Sequence, residues 1–271
     1  MVKAILMSVI VGIVCSVLSC YMTLKGWALM GDAVSHSVLP GVVLAYLLKL
    51  PLALGAFVFG VGSVLAIGYI QAQTRIKEDT VIGLVFTGFF ALGLVLVSKI
   101  RSSLDLTHIL FGNVLGIALP DMIQTIAISL ISLIALLLLQ KDLLLFCFDP
   151  THARSIGLNT TALHYTLLTI LSLTAVAGLQ TVGILLVVAM LVTPGATAYL
   201  LTDRFDRMMG IAIASGLLSS IGGTYISYYL DGATGGCIVV LQTVLFLLAM
   251  IFAPKHGILS RRRQRQTVML D

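Results

Sequence analysis

Asp32 and His36 stand four residues apart in "GDAVSHSVLPG", within a stretch otherwise almost free of charge. On an α-helix that spacing puts two side chains on one face, about one turn apart. A carboxylate oxygen and an imidazole nitrogen so close can ligate one ion, and these donors suit a first-row divalent metal such as manganese, iron or zinc better than an alkali ion. Spacing alone leaves a plainer role open: Asp32 as a helix cap and His36 as a hydrogen-bonded packing residue. Two ligands are few for a tight structural site, yet an ion in transit must be released as well as held. His108 is a secondary candidate for a third ligand, although its place near the outer boundary better suits a surface histidine.

The remaining polar residues carry weaker signals. Asp231 reads as a solvated loop aspartate or as a contact for an external partner protein. Glu78 and Asp79 follow Arg75 and Lys77 and suit the positive end of a helix. Ser35 adjoins His36, but neighbouring helix positions point about 100° apart, so the two cannot form a nucleophile and base. No Gly-x4-Gly-Lys-Ser/Thr phosphate loop occurs, so the chain does not hydrolyse nucleotide by that route and is not expected to be an enzyme. Cys15 and Cys20 fall in the first apolar run while Cys147 and Cys237 stand alone, a pattern of small packing residues rather than disulfides.

The elements that must carry these groups are set by composition. Hydrophobic residues make up 59% of the 271 and charged residues 10%, with a mean hydropathy of +1.11. A soluble domain needs about a quarter charged residues, so lipid is the solvent here. Spanning-length apolar runs lie near 4–24, 32–50, 52–72, 80–98, 122–140, 162–180, 181–201, 208–230 and 236–253. The expected fold is all-α: a polytopic membrane protein of eight or nine transmembrane helices in one domain, 1–255, with a basic cytoplasmic tail, 256–271. The first run reads as a retained span rather than a cleaved signal. The segment 104–118 is apolar but short and reads as a short or re-entrant helix.

Basic residues set the orientation. With Arg261, Arg262, Arg263 and Arg265 of the tail inside, alternation through nine spans leaves Lys3, Lys49, Lys99 and Arg101 outside, four of 16. The net charge of +5 thus reports a membrane surface rather than nucleic acid. Two longer polar loops face the cytoplasm: 141–161, with "FDPTHARSIGL", and 193–207, "TPGATAYLLTDRFDR". Pro194 and Gly195 interrupt an apolar run, so a helix is expected to end there and a short surface helix, 196–202, to begin.

From "KGWALMGDAVSHSVLPGVVLAYLL" through "KEDTVIGLVFTGFFALGLVLVSK", "LTHILFGNVLGI", "LLLFCFDPTHARSIGL", "VGILLVVAMLVTPGATAYLLT" and "DGATGGCIVVLQ", the chain resembles the permease subunits of bacterial ABC transporters for manganese, zinc and chelated iron. "LTHILFGN" and "DGATG" most resemble the iron and manganese branch. The resemblance implies an ATP-driven importer of Mn2+ or Fe2+, or of Zn2+, in the bacterial plasma membrane, with no permanently bound cofactor. It also implies separate ATPase subunits, a metal-binding delivery protein, and a second permease, either another copy or a paralogue. The family's intramembrane ligands fall on Asp32 and His36. Its cytoplasmic coupling helix falls on Pro194, Gly195, Ala196, Thr197, Ala198, Tyr199, Leu200 and Leu201. A proton-coupled secondary metal transporter is the alternative.

Overall fold

In a computed structural model, residues 2–99, 119–253 and 257 are described. The 104–118 segment with His108, and the basic tail apart from Gly257, lie outside the described residues. Twelve helices are found in these: α1 Val2–Lys25, α2 Met30–Ser37, α3 Leu39–Leu47, α4 Leu52–Gln73, α5 Glu78–Lys99, α6 Leu119–Leu138, α7 Gln140–Phe148, α8 Pro150–Ser155, α9 Thr160–Val182, α10 Ile184–Leu201, α11 Phe205–Leu230 and α12 Thr234–Phe252. Among the described residues nine crossings are long and apolar enough to span a bilayer, α2 and α3 together making one of them, Met30–Leu47. All nine expected spans are present.

α1 packs against α10 and α11, and Cys15, Leu18 and Tyr21 on it are fully buried. Lipid offers no hydrophobic drive for helices to associate, so small residues let the backbones approach and hydroxyls bridge them. A methyl group at Gly216 of α11 would collide with the Ser16 hydroxyl of α1. About two turns away Ser8 and Thr224 share a hydrogen bond at 3.3 Å.

The chain turns at each end of the second crossing for identifiable reasons. Gly26, at φ 75°, closes α1, with Trp27 N–H donating to Met22 O and Gly26 N–H to Thr23 O, a left-handed glycine cap. Between α2 and α3 the helix breaks because Pro40 has no N–H to offer the carbonyl of His36, which takes the Val38 N–H instead.

Two expectations about connections are corrected. The 141–161 loop is largely helical, containing most of α7 and all of α8; Asp149 caps α8 by accepting from the N–H groups of Thr151 and His152. Pro194 does not end a helix but lies within α10, continuous from Ile184 to Leu201. The reason is Ser19 of α1, whose hydroxyl accepts the Gly195 N–H at 2.8 Å and donates to the Val192 carbonyl at 3.0 Å. A side chain from the neighbouring helix thereby satisfies backbone that the proline disturbs. Gly195 is required for that approach, since a methyl group there would overlap the Ser19 carbonyl.

Candidate metal site

α2 has only two turns, and Asp32 in its first turn and His36 in its last fall on one face as their spacing requires. His36 Nε2 lies 3.2 Å from Asp32 Oδ1. The imidazole is held from the opposite side by α5: Phe86 and Phe90, one turn apart and stacked on each other, meet the His36 ring edge-on at 5.4 and 5.3 Å. These contacts fix the plane of the ring and leave Nε2 directed at the carboxylate. Asp32 remains 41% exposed and His36 23%, so the pair is not sealed within the chain.

The separation fits a shared metal. With metal–ligand bonds of about 2.1 Å, donors 3.2 Å apart subtend roughly 100°, between the octahedral and tetrahedral angles. A cation bound there would lie between Nε2 and Oδ1. His36 Nδ1 is buried without a partner among the described residues, so no carboxylate or carbonyl there fixes the tautomer from behind, as is usual at structural metal sites. Among the described residues no group of three or more His, Cys, Asp or Glu side chains could hold a metal. His108 lies outside the described residues.

The other sequence candidates have defined places. Asp231 caps α11 in the left-handed conformation, φ 49° and ψ 36°, a conformation that aspartate tolerates. The loop after it is tied down by Ser227, which bonds to Gly232 O and Thr234 Oγ1. It is exposed at the end of a helix bearing exposed Tyr225, Tyr228 and Tyr229, aromatic residues that favour a membrane boundary. Glu78 and Asp79 occupy the first turn of α5. Of the proposed coupling residues, Pro194, Gly195, Thr197 and Ala198 are buried within the chain; Ala196, Leu200 and Leu201 are partly covered and Tyr199 is exposed. α8 was missed as a helix, although Asp149-Pro150 is the cap-and-proline signature of a helix start. The Phe86–Phe90 clamp carried no sequence signal beyond its own four-residue spacing.

Nine apolar crossings among the described residues, one of them carrying an acid and imidazole pair 3.2 Å apart, make the chain a polytopic membrane protein. The chain belongs to the ABC 3 transport family, whose model matches residues 1–253. It is 61% identical, over all of this chain and 92% of the relative, to the manganese transport system membrane protein MntB of Synechocystis. It is 56% identical, over 97% of this chain and 89% of the relative, to the chelated iron transport system membrane protein YfeC of Yersinia pestis. Among solved structures, PsaBC from Streptococcus pneumoniae in complex with Fab superposes with a TM-score of 0.85 at 39% identity, covering 96% of this chain and 94% of that one. The chain is therefore a multi-pass permease of the bacterial inner membrane and not an enzyme.

Proposed function

We propose that this permease conducts a divalent transition metal, manganese or iron with zinc as a further substrate, inward across the membrane in an ATP-driven importer. The observation that carries the reading is the 3.2 Å convergence of His36 Nε2 and Asp32 Oδ1 on a two-turn helix. The names of the relatives favour manganese and iron. Two ligands from one chain bind weakly enough for onward release, and a second permease beside this one, a copy or a paralogue, would double the ligand count at a shared interface. No cofactor stays bound; the metal is cargo.

Energy comes from separate ATPase subunits, because the chain has no phosphate loop. Their contact surface is assigned to the accessible part of the 194–201 segment, from Tyr199 onward, together with the outer face of α8 and its end in the other cytoplasmic loop, where His152 and Ile156 are exposed. A metal-binding delivery protein is assigned to the opposite end, around Asp231. The test is reconstitution with the ATPase in proteoliposomes. Manganese uptake should need ATP and should vanish in Asp32→Ala and His36→Ala with assembly unchanged. Normal uptake in both variants rejects the site, and uptake without ATP selects the proton-coupled alternative.

A further inference from the structure

A cavity of about 360 Å³ opens where the cytoplasmic ends of α1, α4 and α9 meet α7, α8 and the start of α5. Neither Asp32 nor His36 lines it. Its walls carry two cations, Lys25 and Arg154, and one carboxylate, Glu78. Lys25 Nζ is held by aromatic faces, 4.1 Å from the Phe146 ring centre and 5.8 Å from that of Trp27. Arg154 Nη2 donates to Thr160 Oγ1 at 3.3 Å. Among the described residues neither cation has an ion-pair partner. Glu78 sits in the first turn of α5, where its charge faces the positive end of its own helix.

The uncharged polar groups point to the same kind of ligand. Trp27 is 1% exposed, and its indole N–H, which can only donate, has no acceptor among the described residues. The side-chain nitrogen of Gln71, on the same wall, is likewise buried without a partner. Buried donors without acceptors are costly, so two of them lining one cavity with two unpaired cations call for oxygen atoms bearing negative charge. The N-terminus of the 23-residue helix α9 also opens onto the cavity at Thr160 and Thr161. A metal cation leaving this way would meet the two positive charges, so the cavity lies off the metal's path. The charge asymmetry puts Lys25 and Arg154 at the inner face of the membrane, where Lys and Trp side chains reach lipid headgroups.

We propose that this cavity binds a phosphate-class anion, supplied by the headgroup of an anionic phospholipid in the inner leaflet or by free phosphate, with Lys25 and Arg154 balancing its charge and Trp27 Nε1 and Gln71 Nε2 donating to its oxygens. Its volume suits a headgroup-sized ligand.

Trp27 is the only tryptophan in the sequence, so the fluorescence of the unmodified full chain reports occupancy. The chain in neutral detergent is titrated with dioleoyl phosphatidylglycerol, with dioleoyl phosphatidylcholine and with inorganic phosphate. Two basic contacts predict a saturable Trp27 response to the anionic lipid at concentrations about thirtyfold below those for the zwitterionic one. The double variant Lys25→Gln/Arg154→Gln should lose that preference, Lys25→Arg/Arg154→Lys should keep it, and Lys141→Gln, an exposed lysine outside the cavity, should leave it unchanged. A saturable response to inorganic phosphate that the same double variant removes assigns the free anion as the source. Equal responses to both lipids with none to phosphate overturn the proposal, as does a loss in Lys141→Gln equal to that in the double variant.

Discussion

Replacing Asp32 by asparagine changes the charge of the metal site while keeping an oxygen at nearly the same place. The structure bounds the effect. A water-like dielectric around the partly exposed carboxylate gives the lower limit of the effect. One negative charge about 2.1 Å from a dication in a water-like dielectric contributes about 4 kcal/mol. Ligation strips some hydration from the carboxylate, and discounting half for that leaves about 2 kcal/mol, roughly thirtyfold in affinity. Asp32→Asn should therefore weaken manganese capture by at least about thirtyfold, measured as equilibrium binding of radiolabelled manganese to the complete transporter without ATP. The His36 ring is held by Phe86 and Phe90 rather than by Asp32 alone, so the geometry should survive the substitution. Binding within about threefold of the parent would show that the carboxylate does not touch the ion, and the assignment of the pair would fail.

Three more outcomes follow from the geometry. His36→Ala should weaken manganese capture in the same binding assay, because it removes the imidazole donor of the pair; binding at the parent's level contradicts imidazole ligation. Ser19→Ala should lower stability by about 1 to 2 kcal/mol, read from the unfolding transition in detergent, since it strips a donor from Val192 and an acceptor from Gly195; an unchanged transition means the proline helix needs no help. Burial pushes the Cys147 thiol up to about 11, partly opposed by the Lys25 ammonium. Its thiolate is thus scarce until pH approaches that value, and maleimide at neutral pH should label the partly exposed Cys237 while sparing Cys147.

Apolar length alone located all nine crossings, since a segment that must satisfy its backbone within lipid has little choice but a helix. The Asp32–His36 pair was legible for a related reason: charge in such a segment stands out, and helical spacing fixes which residues share a face. What escaped were partnerships between segments distant in sequence. Pro194 reads as a break because the sequence around it contains no remedy; the remedy is Ser19, more than 170 residues earlier. In the same way Phe86 and Phe90 look like lipid-facing aromatics until α5 is set beside α2. Helices that are apolar all round carry no stripe to mark which side meets protein, so neighbours could not be assigned from periodicity. α8 was hidden by its polarity, which resembles an irregular loop although Asp149 and Pro150 encode its start.

The break at Pro40 divides one crossing into two rods of eight and nine residues. A continuous helix turns as one shaft, but here the hydrogen-bond ladder is cut just beyond the imidazole, so twist applied at the inner end is not relayed outward. The half that carries Asp32 and His36 enters from the Gly26 turn and lies against α5, α9 and α10, while the outer half is seated against α4. A shift of one half need not pass to the other.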